Sequence, residues 1–521
     1  MAKTELILSI DVGTQSVRAV IIDLKGNITD IKKTVIEAYY SNQPGWAEQY
    51  PDYFWKNLSE TCRKLFSKTV ISKTDIKAVT LTTQRGTVVN SDINGKPLRP
   101  AISWLDQRQA KVHKYPKGLA RTSLRMINMK EAVTHAVKNA ECNWIIQNQP
   151  EIWEKTDKFI YLSGWLTYKL TGNFTDSVGN MVGYMPFDYK RQRWASENHR
   201  NTKMFPVSAD KLCSLVKPGE ILGYITKETE KLTGIPEGLP LFAAASDKAS
   251  EVLGSGVYTP EVACLSYGTT ATVQTTHKNY YEVIPFFPAY PGAIQDYFNT
   301  EIMIFRGFWM VNWFKEEFGY KEIEIAEQKG LEPEQIFDEM IKDIPPGSMG
   351  LTLQPYWSPG VKVPGTEAKG AIIGFGDVHT RAHIYRAILE GLAYALKEGL
   401  QRTEKRTKTK IEKIIVSGGG SQSEQAMQMT ADIFNLPVEK PHTYETSALG
   451  AAINAAVGMN YYNSYEEAVK NMCRTGSRYT PNEKNKIIYE KLYTKVYYKM
   501  YGRLKGLYHI IRDITGYPEK I

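Results

Sequence analysis

Near the start of the chain two apolar runs, residues 7–10 and 17–22, flank a short polar turn, and Leu24-Lys25-Gly26-Asn27 makes a second turn before Ile28 resumes. Runs of Ile and Val of strand length around turn residues predict a β-hairpin that opens a sheet. The spacing then changes, with Phe54, Leu58, Cys62 and Leu65 predicting a helix over 53–68. Residues 76–83 predict a strand that ends in Gln84-Arg85-Gly86, followed by a strand at 87–90 and a hairpin turn at 92–96. Ala101-Ile102-Ser103-Trp104 runs on into Leu105-Asp106-Gln107-Arg108, and residues 111–124 carry no regular pattern. The stretch 139–172 reads as mostly helical, with Trp144, Trp153 and Trp165 as core residues.

After Pro236-Glu237-Gly238, residues 239–245 predict a buried strand, and Ser246-Asp247-Lys248-Ala249-Ser250 opens a helix on small residues. The opening pattern then returns: a strand at 262–266, the small polar turn Gly268-Thr269-Thr270, and a returning strand at 271–274. An internal duplication follows from this, with its boundary near residues 254–260. Further on, Gly370-Ala371-Ile372-Ile373-Gly374-Phe375 leads into a helix over 383–400, and a strand at 411–416 closes in Ser417-Gly418-Gly419-Gly420-Ser421 before another helix. The helix opening at Thr446-Ser447-Ala448-Leu449-Gly450-Ala451-Ala452 has the small residues needed to pack tightly beside that loop. Tyr489, Tyr493, Tyr497 and Tyr501, at four-residue spacing, predict a terminal helix packed on the second half.

At 521 residues the chain exceeds what one hydrophobic core usually serves, so two domains are expected, 1–256 and 257–521. The net charge of +9 comes from Lys and Arg spread thinly, densest at 397–413 and 484–505, which reads as solvated helix surface and argues against nucleic acid as a partner. Five widely separated cysteines, with no CxxC, fit a reducing cytoplasm better than a disulfide framework. No signal peptide precedes Ile7 and no apolar run approaches a membrane span, so no membrane partner is expected.

Several of these turns suit phosphate. Gly13 lets the backbone come close to a ligand, Thr14, Gln15 and Ser16 offer polar side chains beside backbone N–H groups, and Arg18 adds charge. Asp11, at the strand end, suits a metal ion held through water. On these residues alone an ordinary glycine turn explains the hairpin equally well. Asp247 is a carboxylate facing a cleft or a helix cap, and Asp106 with Arg108 is a structural ion pair or a substrate contact. GxxxxGK[ST], HRD, DFG, HExxH and GxSxG are all absent, so the common nucleotide and hydrolase motifs do not explain the chain.

Taken in order, the turns resemble the FGGY family of carbohydrate kinases, within the superfamily of actin, hexokinase and the chaperone ATPases. The resemblance covers residues 5 to about 460. It implies an α/β fold of two actin-like, ribonuclease H-like domains with a nucleotide cleft between them. It implies that the 11–18 turn is the first phosphate motif and Gly268-Thr269-Thr270 the second. Gly418-Gly419-Gly420-Ser421 is then the adenosine loop, backed by residues 445–452. Gly370, Ile372, Gly374, His383, Ile384, Ala387, Ile388, Leu389 and Glu390 match the second family signature, with Phe375 where an aliphatic residue is usual.

The resemblance also implies an ATP-dependent kinase that phosphorylates a hydroxyl of a small sugar or polyol. Asp247 takes the place of the catalytic base, Gln84, Arg85, Asp106 and Asp247 contact the acceptor, and Asp11 with Asp247 holds Mg²⁺ through water. The departures bear on substrate. Glu141-Cys142-Asn143-Trp144 lacks the lysine usual before that tryptophan, and Gly86, Thr272 and Lys248 stand where glycerol kinases have Glu, Phe and Gln. The Gln-Met-His-Gly of xylulokinases is unmatched. A pocket without the carboxylate and aromatic wall suits a five-carbon or longer acceptor, with a ketopentose such as xylulose leading. The alternatives are glycerol kinase, a filament-forming or chaperone-like ATPase, and a catalytically silent sugar sensor. A homodimer is admitted.

Overall fold

A computed structural model of the chain describes residues 5–112, 130–358, 360 and 364–517. Most of the patternless stretch 111–124 lies outside the described residues. The chain forms two compact units. One comprises Met1–Tyr258, His277–Asn299 and Glu445–Arg474; the other comprises Thr259–Thr276, Thr300–Tyr444 and Thr475–Ile521.

The first unit is built on a six-stranded sheet of β1 (Leu6–Val12), β2 (Ser16–Asp23), β3 (Ile28–Val35), β4 (Ile76–Thr83), β5 (Ile221–Tyr224) and β6 (Pro240–Ala243), in spatial order β5-β6-β4-β1-β2-β3. β1 runs antiparallel to β2 and parallel to β4, which is itself parallel to β6. The unbroken apolar runs follow from burial of both sheet faces. Successive residues point to opposite sides, so Leu8, Ile10, Ala19 and Ile21 pack with Phe54, Leu58 and Trp165 on one side, while Ile7, Val20 and Ile22 pack with Phe242, Ala448 and Ala452 on the other. The helix Pro51–Lys68, with Pro at its first turn, buries Phe54, Leu58, Cys62 and Leu65.

The second unit repeats this plan with β7 (Val262–Tyr267), β8 (Ala271–His277), β9 (Phe298–Ile304), β10 (Lys413–Ser417), β11 (Val438–Pro441) and β12 (Thr475–Tyr479) in the order β9-β8-β7-β10-β11-β12. β7 is antiparallel to β8 and parallel to β10, and β10 is parallel to β11. This is the same hairpin-then-parallel plan as β2, β1, β4 and β6. The edge strands have different origins: β5 precedes β6 in the chain, whereas β12 follows β11.

Two sequence expectations change. Residues 139–172 are not helical throughout, because the short strand Lys158–Tyr161 pairs antiparallel with Val88–Ser91 before the helix Leu162–Thr171. A four-residue apolar run carries too little periodicity to distinguish strand from helix. The helix Thr446–Gly458 belongs to the first unit, where its small residues meet the helix Asp247–Gly254 rather than serving the Gly418 loop. A Cβ on Gly254 would lie 1.9 Å from the Thr446 carbonyl oxygen, and one on Gly450 would lie 1.9 Å from that of Ser250. The tyrosines of the terminal helix pack within the second unit, with Tyr489, Tyr493 and Tyr497 almost fully buried. All five cysteines are free thiols.

Candidate functional site

In the first unit the carboxyl ends of β1, β4 and β6 come level. Asp11 pairs in register with Thr82, Ala243 with Leu81, and the Gln84 N–H donates to the Val12 carbonyl at 2.8 Å. Polar residues just beyond parallel strand ends stand where α/β sheets bind ligands. Thr82 Oγ1 donates to the Ala245 carbonyl at 2.8 Å, tying the end of β4 to the turn that presents Asp247.

The β1–β2 turn is tight, with the Gly13 N–H donating to the Ser16 carbonyl at 3.0 Å. Thr14 Oγ1 donates to Gln84 Oε1 at 2.9 Å and accepts from the Trp104 indole N–H at 3.1 Å. Gln15 is exposed, whereas Ser16 is buried and enters the β2–β3 ladder opposite Val35. Gln84 Nε2 is a buried donor without a partner among the described residues, a group left for a ligand or water to satisfy.

Arg18 stands between two carboxylates. Its Nη1 donates to Asp11 Oδ2 at 2.9 Å and its Nε lies 3.3 Å from Glu445 Oε2. Burial nevertheless pushes Asp11 up to about 6; Arg18 holds it down, while the charges of Asp247 and Glu445 push it further up. Asp247 begins its helix and is raised as well, by burial first, against the lowering influence of Arg85 and Lys248. Its Oδ1 accepts from the following N–H at 2.8 Å, and its carbonyl accepts from Ser447 Oγ at 3.2 Å. The helix cap is Ser246, so Asp247 stands as the first helical residue and not as the cap. Burial works to lower the Lys248 ammonium, but Glu251, 2.7 Å away, and Asp247 outweigh it and raise its pKa. The Arg85 guanidinium lies over the Tyr290 ring, 5.6 Å from its centroid.

Asp106 is differently placed. Its Oδ1 accepts from the Arg108 backbone N–H and Nε, each at 2.8 Å, and its Oδ2 accepts from Arg108 Nη2 and the Ala47 N–H, each at 2.7 Å. These four bonds fill the acceptor capacity of a carboxylate. Of the two readings left open by sequence, the geometry is that of the ion pair. Arg108 also pairs with Glu48 and lies over the rings of Trp46 and Trp144. Glu141, which stands where the family signature has lysine, is pushed up by burial to about 8.

In the second unit the Gly268 turn and the Gly418 loop share one anchor, Phe308. Its N–H donates to the Gly268 carbonyl at 3.0 Å, its ring stacks on Tyr267 with centroids 4.3 Å apart, and a Cβ on Gly420 would come within 2.3 Å of that ring. The Trp309 N–H donates to the Thr269 carbonyl, and Thr270 Oγ1 donates to the Phe305 carbonyl at 3.1 Å. Gly418 has φ +86°, a left-handed conformation that favours glycine. Its carbonyl accepts from the Ser421 hydroxyl at 2.7 Å. Gly419 faces open space, since a Cβ there would meet nothing within 4 Å. Thr272 lies inside β8, fully buried, with Oγ1 accepting from Gln274 Nε2 at 3.0 Å.

Sequence reasoning missed the partnership of Glu445 with Arg18, the Trp104 indole on Thr14 and the Tyr290 ring under Arg85. Only Trp104 carried a local signal, as a tryptophan two residues past the strand Ala101–Ile102. Among the described residues no group of three or more His, Cys, Asp or Glu side chains forms a metal cluster. Two neighbouring carboxylates, the buried Asp11 and the half-buried Asp247, do fit a hard, oxygen-preferring cation that keeps most of its waters, as Mg²⁺ does.

Comparison with known proteins gives two family matches. The N-terminal domain of the FGGY family of carbohydrate kinases matches residues 6–254, and the C-terminal domain of that family matches residues 263–459. An uncharacterized sugar kinase of Escherichia coli K12, YgcE, is 30% identical over 487 residues, covering 93% of this chain and 91% of its own. A xylulose kinase of Lactococcus lactis is 28% identical (94% of this chain, 95% of its own), and glycerol kinase 2 of Thermotoga maritima is also 28% identical (93% and 97%). The crystal structure of a ligand-bound xylulose kinase from Lactobacillus acidophilus superposes with a TM-score of 0.81 at 20% identity, covering 97% of this chain and all of that one.

Proposed function

The chain belongs to the FGGY family of carbohydrate kinases, phosphotransferases with an alcohol group as acceptor, and from that premise we propose that it transfers the γ-phosphoryl of ATP to a hydroxyl of a ketopentose or a polyol of similar length. The observation that carries this reading is the pairing of a buried Asp11 at the end of β1 with a half-buried Asp247 just past the end of β6, close enough for the charge of Asp247 to act on Asp11, each raised in pKa. A raised pKa brings Asp247 closer to what a general base needs near neutral pH.

In this reading the acceptor oxygen attacks the γ-phosphorus, the bond to the β-phosphate bridging oxygen breaks, and ADP leaves with that electron pair. The acceptor's proton passes to the Asp247 carboxylate. Arg18 fixes Asp11 through the 2.9 Å bond, and Asp11 with Asp247 would hold Mg²⁺ through water, where the ion would neutralise phosphate charge. Gly13, Thr14, Gln15, Ser16 and Arg18 are the proposed phosphate contacts of the first unit. Gly268, Thr269 and Thr270 are those of the second, and Gly418, Gly419, Gly420 and Ser421 are the proposed adenosine loop. Gln84, through its buried Nε2, and Arg85 bind acceptor hydroxyls beside Asp247. Asp106 acts at one remove, orienting Arg108 and the Ala47 backbone.

Acceptor length rests on Gly86. Its φ of +69° disfavours any residue with a side chain, so the carboxylate found there in glycerol kinases is absent for a backbone reason too. Thr272, enclosed in β8, lends the argument no support. A hydroxyl deprived of a buried partner loses about 1–3 kcal/mol, or roughly ten- to a hundredfold in binding. The test is a coupled ADP-release screen over glycerol, erythritol, pentitols, ketopentoses and ketohexoses at equal concentration. A ketopentose or pentitol giving the highest kcat/KM supports the reading, and glycerol giving the highest overturns it.

A further inference from the structure

The chain's last helical run consists of Glu483–Leu492, a π-turn over Tyr493–Tyr497, and Tyr498–Thr515. It carries two columns of side chains at four-residue spacing. The inward column is Tyr489, Tyr493, Tyr497 and Tyr501, of which the first three are almost fully buried. Tyr493 hydrogen-bonds Gln401 and Tyr501 accepts from the Gly365 N–H, each at 2.8 Å. Residues two apart lie about 200° around a helix, so the outward column is Lys491, Lys495, Lys499 and Arg503, all exposed. The wider π-turn keeps four-residue columns closer to one line than an α-helix does. Past Arg503 the outward face becomes apolar. Leu507, Ile510, Ile511 and Ile514, at i, i+3, i+4 and i+7, are 54%, 56%, 41% and 78% exposed.

We propose that this face is a peripheral docking surface for an anionic lipid bilayer, the four isoleucine and leucine side chains entering the headgroup boundary while the lysine and arginine column meets lipid phosphates. An exposed apolar patch that continues a basic column offers both terms of peripheral binding, burial of apolar side chains and attraction to anionic lipid. From Lys491 to Ile514 the chain has one carboxylate, Asp513, so the face complements negative charge. Among the described residues no helix is long and apolar enough to cross a membrane, so the contact is peripheral. It departs from the sequence expectation of no membrane partner, which rested on the absence of a span and a leader.

A second copy of the chain fits this face poorly. Parallel pairing would set cations against cations, and antiparallel pairing would set cations against the isoleucines. The stripe offers four exposed apolar side chains, against roughly 20–30 residues a side in a standard stable interface.

The proposal uses no active-site residue and stands apart from the kinase reading. Its test is flotation of the full chain with vesicles of phosphatidylcholine alone and of phosphatidylcholine with one-third phosphatidylglycerol, at low and high salt. The expected result is salt-sensitive binding to the anionic vesicles, at least tenfold above the neutral ones. Lys495→Gln/Lys499→Gln/Arg503→Gln and, separately, Ile510→Gln/Ile514→Gln should each reduce binding at least fivefold, with ADP-release activity and circular dichroism unchanged. Equal partition to both vesicle types, or full binding by either variant, overturns the proposal. So does sedimentation equilibrium showing a dimer that Ile510→Gln/Ile514→Gln dissociates, which would assign the face to a second copy.

Discussion

The Arg18 guanidinium donates to Asp11 Oδ2 at 2.9 Å, yet Asp11 is pushed up to about 6, because burial and the neighbouring Asp247 and Glu445 charges outweigh one arginine that Glu445 shares. The carboxyl binds a proton more tightly in the folded chain than at its ordinary value of 3.8. Its favourable contribution to stability is therefore fully present below pH 3.8 and lost as pH rises through about 6.

Asp11→Asn should accordingly raise the thermal midpoint at pH 7.5, with the advantage over wild type shrinking as pH falls from about 6 toward 4. Activity runs the other way. Wild-type kcat/KM for MgATP should fall as pH drops through about 6, and the variant should be impaired at every pH. Differential scanning fluorimetry and ADP release at matched pH check both halves, and a variant less stable than wild type at pH 7.5 would contradict the electrostatic account.

Gly419 and Gly420 should separate nucleotide binding from folding. Gly419 faces open space, so Gly419→Val should keep its thermal midpoint and weaken ATP binding at least tenfold by filling the approach to the loop. Gly420→Val meets the Phe308 ring and should lower the midpoint. An unchanged ATP affinity in folded Gly419→Val, measured by titration calorimetry, would move the adenosine site elsewhere.

The contact between the Asp247 helix and the helix Thr446–Gly458 should tolerate no added methyl. Gly450→Ala places a carbon 1.9 Å from the Ser250 carbonyl oxygen. Overpacking of this kind costs about 1–3 kcal/mol, and ~2–4 °C of midpoint per kcal/mol is expected for a large domain. A midpoint within 1 °C of wild type (an order-of-magnitude threshold of about 0.3–0.5 kcal/mol) would contradict the close packing.

What sequence made legible was what lay contiguous. The hairpin around Gly13, its repeat at Gly268, the glycine loop at Gly418 and the small residues around Asp247 each announce themselves within a dozen positions, because backbone approach to a ligand demands glycine and turn residues locally. Pairings between distant positions leave no such trace. Glu445 reaches Arg18 because Glu445–Arg474 returns to the first unit. The alanines and glycine after Thr446 reveal that the helix packs closely but not against what. Asp106 and Arg108 were visible as a pair, but the four bonds that fill Asp106 include one from Ala47, brought in by the chain before the first helix. The charge on Asp11 could not be read from Asp-x-Gly-Thr, since its burial and its neighbour Asp247 are products of the fold.

The central claim, that Asp247 accepts the proton of an alcohol acceptor, is tested most directly by coupled ADP release in wild type and Asp247→Asn, with and without a ketopentose or pentitol. Asparagine keeps an oxygen to accept the Lys248 N–H at the helix start, so the fold should survive. The account predicts ADP release that depends on the added acceptor in wild type, and a fall of roughly 10²–10⁴-fold in the variant with ATP affinity largely kept. ADP release independent of acceptor, or near-normal turnover by Asp247→Asn, would contradict it.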